Sequence, residues 1–160
     1  MTLPDAEEYR SLRDTIGRQG TARVCIFVVG VVAWAALAVA TAALASLPVA
    51  TLLPLLVLDG VFEAVVALHA GVQRMAGYIQ LTYETDGRGW EHAAAASRPA
   101  ADPLFAAVFM LAAVVNFVPV LLAEPVAIEL IVVGVVHLAF LARVILARRK
   151  VGSQMPEVGR

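Results

Sequence analysis

Residues 24–47 read VCIFVVGVVAWAALAVATAALASL, a run of 24 residues without a charged side chain. A helix of about 20 apolar residues crosses the hydrocarbon core of a bilayer. Three further stretches have a similar length and character, and they cover about 49–71, 103–123 and 125–147. No segment alternates between apolar and polar residues over ten positions, as the strands of a membrane barrel do. The sequence therefore predicts an all-α integral membrane protein, a bundle of four transmembrane helices.

The composition of the whole chain agrees with this prediction. Of its 160 residues, 61% are hydrophobic and 16% are charged, whereas soluble domains are about 45–50% apolar and about 25% charged. A single soluble domain of this size cannot bury so much apolar surface. The net charge of −1 argues against nucleic acid as a partner, and the single cysteine excludes a disulfide-rich scaffold.

The basic residues predict the orientation of the four spans. All 12 lysine and arginine residues precede the first span, lie between the second and third, or lie at or after the end of the fourth. Short cytoplasmic segments carry an excess of positive residues. We therefore expect a multi-pass protein of the cell (inner) membrane with both termini in the cytoplasm and two short outer turns.

The segment before the first span is predicted to contain a helix of its own. Within residues 1–22, apolar side chains recur on one face of an amphipathic helix over residues 5–19. Gly17 and Gly20 are expected to end this helix before the membrane begins. Its apolar face either packs against the protein itself or lies on the cytoplasmic leaflet or a partner.

The other cytoplasmic segments are a loop over about 72–102 and a basic tail over 149–160, so the transmembrane domain covers 23–148. The second span is expected to continue into the loop as a helix of about 30 residues, followed by a second short helix. Four basic residues either bind anionic lipid headgroups or serve only as orientation signals; they are Arg98, Arg148, Arg149 and Lys150.

Ionisable side chains occur inside the predicted spans, where a charged group costs about 2.5–3.5 kcal/mol. Asp59 and Glu63 are four residues apart and share one face of the second helix. If depth is counted from the outer ends of the second and fourth spans, the polar residues form three rungs. These are Asp59 with Glu129, Glu63 with His137, and His69 and Arg74 with Arg143.

Two functions remain open for this intramembrane polar network. In the leading interpretation it fixes helix packing in a structural or interaction (accessory) subunit. In the alternative, an oligomer of the chain translocates protons or cations by means of its intramembrane carboxylates and histidine, which are Asp59, Glu63, Glu129 and His137.

Smaller features of the spans predict how the helices approach one another. Gly60 and Ala64 form a pair of small residues four apart, which permits close helix packing. Pro119 is expected to free a backbone carbonyl in the third span, and Asn116 is placed to bond it.

No pattern in the sequence indicates an enzyme. It contains no G-x-S-x-G, H-E-x-x-H, P-loop or C-x-x-C motif. His69 and His137 differ in depth by about six residues, or roughly 9 Å, which is too far for a shared haem. We therefore predict no catalytic residue, no metal and no cofactor. The expected partners are the lipid bilayer and either a second copy of the chain or another membrane protein.

Overall fold

The computed structural model describes residues 3–43, 48–84, 89–90, 93 and 103–153, and its regular structure in these ranges is entirely helical. The elements are α1 (Leu3–Ala42), a 3-10 helix (Pro48–Thr51), α2 (Leu52–Thr82), α3 (Pro103–Leu122) and α4 (Ala127–Ser153). Four helices are long and apolar enough to cross a membrane. The prediction of an all-α chain with four helices of membrane-spanning length is confirmed. Arg98, most of the short loop helix and the end of the basic tail lie outside the described residues.

The chain divides into two compact units. The first unit comprises Met1–Phe27 and Ala64–Pro99, and the second comprises Val28–Glu63 and Ala100–Arg160. Helices α1 and α2 each contribute residues to both units.

Helix α1 runs without a break through Gly17 and Gly20, so the prediction that a separate N-terminal helix ends there is wrong. An interior glycine costs only about 1 kcal/mol relative to alanine, and packing elsewhere on the helix offsets a cost of this size. Here the ring of Tyr9 packs edge-on against Tyr83, with the ring centroids 5.6 Å apart. The chain therefore remains helical from the N-terminal segment into the first apolar run.

In the first unit, the C-terminal part of α2 packs against the N-terminal part of α1. The hydroxyl of Tyr78 donates a hydrogen bond to the carboxylate of Glu8 at 3.1 Å. Helix α2 continues to Thr82, which confirms the prediction that it extends past the apolar stretch as a helix of about 30 residues.

In the second unit, aromatic packing joins α2, α3 and α4. The ring of Phe62 packs edge-on against Phe109 at 5.2 Å and against Phe140 at 5.9 Å, and all three side chains are buried. The 3-10 helix packs against both α3 and α4. Helix α1 approaches α2 closely at Gly30, where an added Cβ would overlap the side chain of Val61.

The connection between α3 and α4 is a tight turn closed by Glu129. Glu124 adopts a left-handed conformation with φ 48° after the end of α3. The backbone N–H of Val126 donates to Oε2 of Glu129 at 3.2 Å, and the N–H of Glu129 donates to the carbonyl of Val126 at 2.9 Å. A glutamate three residues after a helix cap satisfies the first N–H groups in this way. Helix α4 thus begins at Ala127, two residues after the predicted start at 125.

Replacement of Glu129 with alanine is expected to lower the free energy of unfolding by about 0.5–1 kcal/mol, because the N–H of Val126 loses its acceptor. Glu129→Gln keeps an acceptor oxygen and is expected to lose less. Equilibrium unfolding of the three proteins in the same detergent measures the difference. Wild-type stability for Glu129→Ala would show that this contact does not stabilise the start of α4.

Candidate functional site

Asn116 belongs to the second unit and is buried, with only 2% of its surface exposed. Its amide Nδ2 donates one hydrogen bond to the carbonyl of Thr51 at 2.9 Å and another to Nε2 of His137 at 3.1 Å. The sequence instead placed Asn116 against a carbonyl freed by Pro119. That prediction is wrong, because an amide carries two hydrogens and both are used across the unit. Asn116 thereby joins the 3-10 helix, α3 and α4.

The contacts of His137 define its protonation state. Nδ1 lies 2.8 Å from the carbonyl of Val133, one turn earlier in α4, and therefore donates to it. Nε2 accepts from Asn116, which is the arrangement of a neutral imidazole. The ring of Phe117 packs edge-on against the imidazole at 5.0 Å. Both ring nitrogens of His137 are therefore occupied by partners other than a carboxylate.

Glu63 binds Arg143 instead of His137, so the predicted pair of Glu63 and His137 is wrong. The guanidinium holds the carboxylate at two points, with Nε 2.8 Å from Oε1 and Nη2 2.9 Å from Oε2. The prediction counted residues from the outer ends of the second and fourth spans, and it assumed that α2 and α4 begin at the same depth in the membrane. Asn116 brings His137 to the level of Thr51, whereas Glu63 lies about 18 Å further along α2 at about 1.5 Å per residue.

The ion pair lies at the surface of the second unit. The side chains of Arg143 and Glu63 are 43% and 44% exposed, and the guanidinium lies 5.8 Å from the ring centroid of Phe62. Asp59, one turn earlier in α2, is within electrostatic reach of both charges. We call Asp59, Glu63 and Arg143 the carboxylate–arginine cluster. Beside it, Gly60 is exposed, and no described side chain lies within 4 Å of the position of its Cβ.

The predicted pairing of Asp59 with Glu129 is also wrong. Glu129 caps its own helix, and the charges that act on Asp59 are those of Glu63 and Arg143. A glutamate in the first turn of a helix has unpaired backbone N–H groups within reach. Local capping therefore satisfies Glu129 without a partner from another helix.

His69 joins α2 to α1 in the first unit. Its Nδ1 lies 2.9 Å from Nη1 of Arg23, and its Nε2 lies 3.0 Å from Nε2 of Gln73. A guanidinium can only donate, so Nδ1 of His69 accepts. The sequence grouped His69 with Arg74 and Arg143. Arg74 is exposed on α2. The partner of His69 is instead Arg23, the last charged residue before the first apolar run, which was not predicted from the sequence.

Replacement of His69 with leucine is expected to lower the free energy of unfolding by about 1–2 kcal/mol, because Arg23 loses an acceptor between the two helices. Ala70→Leu, at the next and exposed position of the same helix, is the matched control and is expected to change stability by less than about 0.5 kcal/mol. Equilibrium unfolding in detergent measures both variants. Equal losses would show that the histidine contact contributes nothing specific.

We also searched the described part of the chain for side chains that could hold a metal ion. There, no group of three or more histidine, cysteine, aspartate or glutamate side chains is arranged to hold a metal ion. The sequence matches no protein-family model, and comparison with curated proteins and with solved structures gives no match.

Proposed function

We propose that the chain is a structural and accessory subunit of the inner membrane, a bundle of four spans with both termini in the cytoplasm. Its polar contacts fix the packing of the helices, and its carboxylate–arginine cluster receives a transmembrane segment of a partner membrane protein. The observation that carries the proposal is the half-exposed ion pair between Glu63 and Arg143, inside helices of membrane-spanning length.

The placement in the membrane rests on length and charge. Four helices are long and apolar enough to span a bilayer. When the chain crosses the membrane four times, the basic residues other than Arg143 fall on one side of it, and Arg143 lies in the last third of the fourth span, toward that side. This asymmetry orients membrane proteins with their basic segments in the cytoplasm.

The packing function is supported by contacts that join different elements. Asn116 bonds the 3-10 helix and α4 from α3, and Arg143 bonds α2 from α4. Lipid tails are as apolar as leucine side chains, so polar contacts of this kind contribute to the choice of helix partners in a membrane.

The accessory function is supported by the exposed part of the cluster. More than two-fifths of each side chain in the ion pair is exposed, and in a bilayer this part would face hydrocarbon. Pairing therefore removes only part of the free-energy cost of placing these charges in the membrane. A polar group from another transmembrane segment would relieve this cost. Gly60, exposed next to Asp59, leaves room for the backbone of such a segment to approach.

The charge of the cluster selects the kind of partner. Two carboxylates and one guanidinium carry a formal charge of −1, which a lysine, an arginine or a neutral hydrogen-bond donor complements. A second copy of the chain would bring the same excess charge to the same place, which is unfavourable at low dielectric. The segment is therefore assigned to another membrane protein.

The contacts give no support to proton or cation transport. His137 has both ring nitrogens bonded to Asn116 and Val133, and Glu129 caps its own helix. Among the described residues, the hydrogen bonds of His137 and Glu129 therefore go to partners other than Asp59 and Glu63.

Site-specific photocross-linking tests the accessory function. A benzophenone amino acid replaces Leu56, which is exposed and shares the helix face of Gly60 and Glu63, or Leu121, which is exposed on α3. In native membranes we expect a single discrete adduct from position 56 and none from position 121. The adduct should disappear in Gly60→Leu and persist in Gly134→Leu, because both glycines have open space around the Cβ position but only one adjoins the cluster.

Two outcomes would overturn the assignment. If the cluster faced only lipid, position 56 would give no adduct or would give the same products as position 121. An adduct with the mass of two copies of the chain would show that the cluster binds a second copy of the chain and not another membrane protein.

A further inference from the structure

A groove of about 360 Å³ lies between the beginning of α3 and the last turns of α4. Its apolar lining comes from Ala106 and Met110 of α3 and from Val144 and Ile145 of α4. Arg148 and Arg149 complete the lining from the next turn of α4. We call this feature the α3–α4 groove.

The order of the lining residues along α4 makes the groove amphipathic. Val144 and Ile145 lie one turn before Arg148 and Arg149, so an apolar section is followed directly by two cations. Guanidinium groups bind phosphate oxygens through parallel hydrogen bonds. Ala106 is in the first turn of α3, where unpaired backbone N–H groups add a partial positive charge.

We propose that the α3–α4 groove binds one anionic phospholipid. The phosphate lies at Arg148 and Arg149, and one acyl chain runs along Ala106, Met110 and Ile145. The volume is within the range of sites for small ligands, about 300–1,000 Å³. An inorganic phosphate would use only the two arginines and leave the apolar section empty, so the lining selects a lipid.

The position of the groove agrees with the predicted orientation. The two arginines follow the last apolar stretch of the chain, at the side of the membrane that the basic segments assign to the cytoplasm. The cytoplasmic leaflet is rich in anionic lipids, which attract basic residues at its surface. The inference rests on the membrane location in the proposed function but not on the partner segment, so either can fail alone.

Two of the four lipid contacts that the sequence predicts have described side chains. Arg148 and Arg149 line the groove. The side chains of Arg98 and Lys150 lie outside the described residues.

Native mass spectrometry of the purified, delipidated chain tests the proposal. The probes are phosphatidylglycerol, phosphatidylcholine of the same acyl length, and inorganic phosphate. The intact protein is expected to bind one phosphatidylglycerol roughly tenfold to thirtyfold more tightly than phosphatidylcholine, as two favourable charges at a membrane surface imply. Inorganic phosphate at the same concentration is expected to leave the lipid bound.

Charge-matched variants separate the groove from general surface charge. The double variant Arg148→Gln, Arg149→Gln is expected to lose the preference for phosphatidylglycerol. The control Arg10→Gln, Arg18→Gln removes the same number of charges from exposed positions of α1 and is expected to retain it. Ala106→Trp fills the apolar section, keeps both arginines, and is expected to weaken binding of both lipids about tenfold, the equivalent of less than one buried side chain.

Three results would overturn the inference. The first is a preference for phosphatidylglycerol that persists in the Arg148 and Arg149 variant. The second is an equal loss of this preference in the Arg10 and Arg18 control. Displacement of the lipid by an equal concentration of inorganic phosphate would show that the apolar section has no part in binding.

Discussion

Replacement of Asn116 with leucine is expected to lower the free energy of unfolding by about 2 kcal/mol, because the change deletes two buried hydrogen bonds. Leucine has the same number of side-chain heavy atoms as asparagine and the same branching at Cγ, so the change mainly tests the hydrogen bonds. The carbonyl of Thr51 and Nε2 of His137 would both remain buried without a donor. A buried acceptor left unpaired costs more than the bond itself contributes.

A control and a second substitution make this experiment specific. Val114→Leu, at an exposed position of the same helix, is expected to change stability by less than about 0.5 kcal/mol. His137→Phe is expected to cost much less in the Asn116→Leu background than in the wild type, because neighbours in one network are not additive. If Asn116→Leu unfolds like the wild type in detergent and bicelles, the polar contacts do not fix the packing of α3 and α4.

Replacement of Gly30 with leucine is expected to lower the free energy of unfolding by about 1–3 kcal/mol, the usual range for overpacking. Gly30 is buried, and even a Cβ at this position would overlap the side chain of Val61. Valine is branched at Cβ and has little rotamer freedom in a helix, so it cannot turn away. The two helices would have to separate at this point.

Gly60→Leu provides the matched control, since it introduces the same side chain next to Val61 in the sequence. Gly60 has no described side chain within 4 Å of its Cβ position, so this variant is expected to fold with a stability within about 0.5 kcal/mol of the wild type. Val61→Ala is expected to recover part of the loss in Gly30→Leu. Equal destabilisation by Gly30→Leu and Gly60→Leu in equilibrium unfolding would contradict close packing at Gly30.

The presence of four long apolar helices could be predicted from the sequence because it depends on local composition. Charge-free runs such as residues 24–47 bury poorly in a soluble domain and match the thickness of a bilayer. The end of the N-terminal helix could not be predicted, because a glycine such as Gly17 is only a weak helix breaker and contacts made elsewhere on α1 decide its effect.

The sequence locates the polar residues of the spans, but their partners depend on the register between helices. Asn116 stands out as the one polar side chain of its span, yet nothing in the sequence aligns it with Thr51 and His137. Arginine adds a second difficulty, since its long side chain reaches a carboxylate well away from its own backbone. Glu63 therefore pairs with Arg143, which lies six residues after the predicted partner His137.

The glycines illustrate the same limit. Gly30 and Gly60 lie in similar apolar sequences, yet one is in a tight helix contact and the other faces open space. Only the packing of the folded chain distinguishes a glycine that permits close approach from one that leaves a surface accessible.

The contact on which the packing of α2 against α4 and the proposed partner site both depend is the ion pair between Glu63 and Arg143. A double-mutant cycle of Glu63→Gln and Arg143→Gln in bicelles tests it most directly. We expect a coupling free energy of at least about 1 kcal/mol, above the usual value of an ion pair exposed to water. Losses that add to within about 0.3 kcal/mol would contradict it, because the two groups would then be stable without each other.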